Sequence, residues 1–203
     1  MAFNLSEFQA SFQGGARPNL FNATITGLPE VLERQRDLEN EFQFLCTTGE
    51  LPGSSMGVIP VSYFGRTVNY AGNRIFAGTM TTTILNEENF ALRLAVESWH
   101  EKMNSTVTNI QDEKMNTPES YTSTIVMKQH SRDGENELRA IRYHRCWPTD
   151  IGPIILGWEQ NDTIEMFDVT WQYDWWESQA ITDDTVTPSY SESVSRNVPQ
   201  NRF

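Results

Sequence analysis

The chain has 203 residues, 38% of them hydrophobic and 21% charged, which is enough to build one sizeable core and too apolar for an intrinsically disordered chain. Acidic residues outnumber basic ones 27 to 15, and the formal charge of -12 repels duplex nucleic acid at long range, against a conventional DNA-binding domain. No run approaches the ~20 apolar residues of a membrane-spanning helix, and the opening MAFNLSEFQASFQGG has neither a basic region nor a continuous apolar stretch, so a soluble protein made in a cytosol is expected.

In chain order, Phe21, Ala23 and Ile25 alternate with polar residues and end at Gly27, the pattern of a half-buried strand. Leu32 to Glu41, behind Pro29, reads as a short charged helix on the surface. Cys46 and Cys146 are too few for a disulfide scaffold, and two buried free thiols are the favoured reading over a bridge. Val58 to Tyr70 is β-prone and interrupted by Phe64-Gly65-Arg66, a long hairpin turning at Gly65 whose exposed aromatics need a partner.

Asn86 has the chemistry of an N-cap, Glu87 and Glu88 sit where a helix dipole favours anions, and Lys102 lies near the far end, predicting a helix over Glu87 to Met103. Leu92, Ala95, Val96, Trp99 and Met103 fall on one stripe of it, the core face. Phe90 and Leu94 point nearly the opposite way and need cover, from a loop of the same chain or from outside. Asn104 to Pro118 reads as a long polar loop. Tyr121, Ser123, Ile125, Met127 and Gln129 alternate again, and Asp133-Gly134 supplies a hairpin turn before the next strand. From Phe167 to Trp175 the odd positions are Phe167, Val169, Trp171, Tyr173 and Trp175 and the even ones are polar, placing Trp171 and Trp175 in the core and leaving Trp176 as the exposed tryptophan. Beyond Glu177 the composition turns to Ser, Thr, Pro and Asn, a mobile or partner-ordered tail over 178–203.

Catalytic arrangements are nearly absent. His100, His130 and His144 occupy no HExxH or CxxC spacing, and there is no phosphate loop, GxGxxG turn or GxSxG elbow. His144-Arg145-Cys146 with Cys46 supplies too few ligands for a convincing metal site, and pairs among 27 acids arise by chance. Arg139, Arg142 and Arg145, with Lys128 and Arg132, are interleaved with Asp133, Glu135 and Glu137, a salt-bridged hairpin surface instead of a nucleic-acid groove. No catalytic residue, cofactor or metal is expected. The residues therefore describe a mainly β domain with antiparallel strands, one amphipathic helix, apolar surface left over and sheet edges that closure into a ring of subunits would remove.

Six segments together resemble the tail tube proteins of contractile-tailed bacteriophages: ARPNLF at 16–21, LPG at 51–53, IPVSYFGRTVNYAGNRIF at 59–76, NEENFALRLAVESWHEKMN at 86–104, CWPTDIGP at 146–153 and LGWEQNDTIEMFDVTWQYDWWE at 156–177. The resemblance implies one tail tube domain over 1–177, an antiparallel β-sandwich or barrel-like domain with one flanking amphipathic helix, similar in fold to type VI secretion tube proteins, whose strands join a continuous barrel in a hexameric ring. Rings would stack into the inner tube of the virion tail, a conduit for genome delivery. It implies contacts between subunits through Tyr63, Phe64, Gly65, Arg66, Asn73, Arg74 and Phe76, with Phe90 and Leu94. Ring stacking would use Thr47, Glu50, Leu51, Ser54 and Met56 in the loop from Cys46 to Gly57. The implied partners are further copies, the sheath, the baseplate and the tail terminator, with tape-measure protein and DNA passing through the lumen without specific binding and no membrane insertion. Acidic residues facing inward would let DNA slide past. A baseplate tube initiator of the same fold and, in another class, a β-sandwich carbohydrate-binding module stay open as alternatives.

Overall fold

A computed structural model of the chain describes residues 4–12 and 15–179. In chain order these form α1 (Leu5–Phe12), β1 (Phe21–Thr26), α2 (Gln35–Leu45), β2 (Ser55–Tyr63), β3 (Arg66–Ile75), β4 (Thr79–Leu85), α3 (Ala91–Met103), a 3-10 turn at Glu113–Met115, α4 (Pro118–Tyr121), β5 (Ser123–His130), β6 (Glu137–Ile151), β7 (Met166–Gln172) and β8 (Trp175–Gln179). The main sheet runs β1-β5-β6-β7-β4, antiparallel throughout, with β8 added along β6. The hairpin β2-β3 is a separate two-stranded sheet.

The long strand β6 joins two parts of this sheet. Its first half pairs with β5 on one side and β8 on the other, and its second half pairs with β7. Between them, His144 and Arg145 face the single residue Thr124, a bulge in which Arg145 takes a left-handed φ of 57°. That backbone costs an arginine roughly 1 kcal/mol or more. Its guanidinium reaches Glu119 at 3.1 Å and Asp174 at 3.6 Å and lies over the Trp175 ring, which holds the bulge in place.

An aromatic pillar fills the core. Trp171 on β7 is buried between the two longer helices, edge-on to Phe42 of α2 at 6.1 Å and to Trp99 of α3 at 5.9 Å. Both indole N–H groups are satisfied: Trp171 donates to Thr82 Oγ1 and Trp99 to the Tyr121 carbonyl, each at 2.9 Å. Leu92, Val96 and Trp99 are buried and Ala95 and Met103 pack beside them, so the predicted stripe of α3 is the core face.

Three expectations are corrected. The predicted surface helix at Leu32–Glu41 is α2, shifted to Gln35–Leu45, and it is a core helix because Leu38 and Phe42, four residues apart, both point inward. The helix predicted from Glu87 begins at Ala91: Asn86 is drawn away by a 2.9 Å bond from its side-chain amide to Glu165 Oε2, and Asn89 Oδ1 instead accepts from the Ala91 N–H. Third, the tryptophans exchange roles. The chain leaves β7 at Tyr173-Asp174 and re-enters as β8 against β6, which shifts the alternation by one residue. Trp175 is exposed, stacked on His144, while Trp176 packs on the core edge-on to Phe76. In addition, α1 was not anticipated, and the polar stretch 104–118 contains the 3-10 turn, whose Met115 is fully buried. The predicted tail falls mostly on 180–203, outside the described residues.

Cys46 and Cys146 are buried, unbridged thiols, each pushed up to about 12 by desolvation. An unfolded thiol ionises near 8.5–9, so the native state holds more protons above that pH. Stability is therefore complete below pH ~8.5 and falls as pH rises toward 12. A thiol reagent at pH 8 is expected to label neither cysteine in the folded chain and both in urea. Phe42→Ala should lower the unfolding free energy by ~3–5 kcal/mol, read from urea denaturation; a loss below ~1 kcal/mol would place α2 on the surface after all.

Candidate assembly surface

The hairpin β2-β3 stands apart from the body. Turn residues Phe64 and Gly65 take successive positive φ values of 45° and 78°, the geometry that follows the right-handed twist of two strands. Near the base, Gly72 and Asn73 oppose Gly57 in a bulge. A Cβ at Gly72 would lie 3.0 Å from the Gly57 carbonyl, so only glycine permits this approach.

The register sorts its side chains. Ile59, Val61 and Tyr63 stand opposite Tyr70, Val68 and Arg66, and beyond the bulge Ile75 opposite Ser55 returns to the same side. The other side carries Pro60, Ser62, Thr67 and Asn69 toward the tip and Val58, Ala71, Met56 and Arg74 toward the base. The hairpin is thus amphipathic, yet every residue of both strands except Gly57 and Gly72 is exposed, with Phe64 at 92% and Tyr63 at 68%. Its apolar side covers nothing among the described residues.

The expected contact residues divide between places. Tyr63, Phe64, Gly65, Arg66, Asn73 and Arg74 lie together on the hairpin. Phe76, just below it, packs inward against Trp176, and Arg74 lies over the same ring at 6.0 Å. Phe90 and Leu94 sit on the outer face of α3, on the helical side of the body, where Leu94 lines a groove with Val31 and Leu38; both remain exposed among the described residues. In the 46–57 segment, Thr47 donates to the Thr83 carbonyl and the Glu50 carbonyl accepts from Tyr143 Oη at 2.6 Å, which straps the segment to the body. Leu51 and Ser54 are exposed between the strap and the hairpin, and Met56 belongs to β2 itself.

Two surfaces were missed. The helix α1 buries none of its residues, and its Phe8 and Phe12 stack on each other at 5.5 Å. The β6–β7 loop exposes Ile155, Leu156, Trp158 and Ile164; the run Ile154-Ile155-Leu156 was legible, but its length suggests burial when read without the fold. No group of three or more His, Cys, Asp or Glu among the described residues is placed to hold a metal ion. His144 instead pairs with Glu177 at 2.9 Å. No helix among the described residues is long and apolar enough to cross a membrane.

A family model described as phage tail tube protein matches residues 6–179. The chain belongs to the phage tail tube family. Tail tube protein gp19 of Enterobacteria phage T4 is 31% identical over 169 residues, spanning 82% of this chain and 95% of that protein, and gp19 of Enterobacteria phage T6 matches to the same extent. Among solved structures, the sheath-tube complex of the PVC extracellular contractile injection system contains a chain with the same fold, TM-score 0.56 at 12% identity, covering 88% of this chain and 99% of that one. A chain in the anti-feeding prophage baseplate aligns with TM-score 0.57 at 9% identity over 83% and 97%. A tail tube protein is a structural component of the virion, and the isolated hairpin is the part of this family member that its own body leaves uncovered.

Because the hairpin contributes nothing to the core, Ile59→Ser and Tyr70→Ser should each change the stability of the dissociated subunit by less than ~1 kcal/mol. Thermal melts at low protein concentration check this, and a larger loss would mean that the hairpin packs on its own chain.

Proposed function

We propose that six copies close into a ring, that rings stack into the hollow inner tube of a contractile tail, and that the genome passes through it into the host. The observation that carries this reading is the amphipathic hairpin with its apolar side in solvent, in a chain whose relatives are tail tube proteins. A lone two-stranded hairpin is marginal in water, so its cover comes from another copy. Among the described residues the outer edges of β1 and β8 supply further unpaired backbone, and pairing between copies removes edges. A head-to-tail contact that closes by rotation gives a ring.

Tyr63, Phe64, Gly65, Arg66, Asn73 and Arg74 make the contacts between copies in this reading, with Leu51, Ser54 and Met56 beside them toward the next ring and Thr47 and Glu50 fixing the strap. Phe90 and Leu94, on the helical side, are left for a sheath or a lateral neighbour. Baseplate and terminator proteins cap the two ends. The chain has no catalytic role and takes no cofactor. The excess of acids gives the tube a negative field that DNA crosses without adhering.

Cryo-EM of tails from particles carrying this protein tests the reading. Six copies per ring, at an abundance matching the full tail length, are expected; a single ring at the baseplate would make it the tube initiator instead. Val61→Glu, which places a charge on the apolar side of the hairpin, should leave the subunit folded and abolish tube formation, measured by sedimentation. Tubes of normal yield from Val61→Glu would remove the hairpin from the contact.

A further inference from the structure

The hairpin and the exposed β6–β7 loop lie at opposite ends of the same strand. The hairpin leads through Phe76–Gly78 into the start of β4, where the Gly78 carbonyl accepts from the Tyr173 N–H at 2.7 Å. The loop is pinned at the far end of β4: Asn86 donates to Glu165 through its backbone at 2.9 Å, and Arg93 Nη1 reaches the Gly152 carbonyl at 2.6 Å. Seven residues of extended chain separate the two by about 20 Å. Between its pins the loop turns through Asp162, at φ 60°, and presents Ile155, Leu156, Trp158 and Ile164 to solvent, with Trp158 wholly exposed. Such a patch on a folded body marks a contact surface.

Charge identifies what it contacts. From Leu51 through Asn86 there is no Asp or Glu, and the charged residues are Arg66 and Arg74. From Cys146 through Tyr173 there is no Lys or Arg, and the charged residues are Asp150, Glu159, Asp162, Glu165 and Asp168. Neither arginine makes an ion pair with a described residue, and neither do Glu159 and Asp162. Two uncovered apolar elements of opposite charge, at opposite ends of one body, are complementary between copies and out of reach of each other within one.

We propose that the β6–β7 loop is the docking surface for the β2–β3 hairpin of a second copy of this chain. The apolar side of the hairpin covers Trp158 and its neighbours, and Arg66, which stands opposite Tyr63 on that same side, faces Glu159 and Asp162. The contact is heterologous, each copy using one surface to give and the other to receive, so it propagates through the assembly. It rests on the tube reading above and names the receiving half of the hairpin's contact.

Charge reversal with rescue tests it in the full chain. Arg66→Glu, and separately Glu159→Arg with Asp162→Arg, should each lower the fraction sedimenting as tubes by about tenfold or more, because like charges then face each other. The chain carrying all three reversals should recover assembly. In parallel, chains bearing Phe64→Cys and Trp158→Cys, mixed before assembly and treated with copper-phenanthroline, should form a disulfide between copies that neither gives alone. The two native thiols are buried and do not compete. Circular dichroism shows whether each variant folds, and the cross-link carries the test for any that does not. Where the wild-type chain forms tubes, normal tube yield from the loop reversals, no recovery in the threefold chain or no mixed cross-link would overturn the docking surface and leave the tube reading intact. A wild-type chain that forms no ring or tube even on purified baseplates would defeat the tube reading first.

Discussion

Apolar surface on a two-stranded ribbon must be covered, and none of the described residues covers it. That constraint organises the rest of the structure. A hairpin with Ile59, Val61, Tyr63, Val68 and Tyr70 on one side would be an aggregation hazard on an ordinary monomer. In a family whose members build tubes it is the element that makes one copy incomplete without the next. The same reasoning covers the β6–β7 loop, whose Trp158 is wholly exposed among the described residues.

The body, in contrast, is self-sufficient. Trp171 links β7 to both helices, its indole N–H is satisfied by Thr82, and Tyr143 ties the 46–57 strap to β6. The bulge at Arg145 lets one strand serve both β5 and β7. A rigid body matters because both exposed elements are fastened to β4. Their relative placement, and hence the geometry of any assembly they direct, is fixed by a strand in the middle of the fold. The positive hairpin and the negative loop discourage pairing of like with like, so that head meets tail.

The elements with strong local signals were legible in the sequence. Alternation placed β1, β5 and β7, and the Gly65 turn placed the hairpin along with its lack of a partner. The core stripe of α3 followed from its helical period. What was illegible depended on distant residues. Asn86 has good capping chemistry, yet Glu165, far along the chain, claims its amide. The window ending at Glu41 stops one residue short of Phe42, the side chain that anchors α2 in the core. The switch of Trp175 and Trp176 needs the turn at Asp174, whose N–H bonds the His144 carbonyl on β6. Of the surface, the hairpin residues could be grouped from sequence because they share one ribbon. Phe90 and Leu94 could not be separated from them until α3 was seen to pack beside α2, with Leu94 in a groove shared with Val31 and Leu38.

Hydrogen exchange over residues 55–75, compared between dissociated subunits and assembled tubes, probes most directly whether the ribbon is completed by a neighbouring copy. Fast exchange in the subunit and strong protection in the tube are expected, since ordering of an isolated ribbon waits on its cover. Equal exchange in the two states, with the body protected in both, would contradict the central claim.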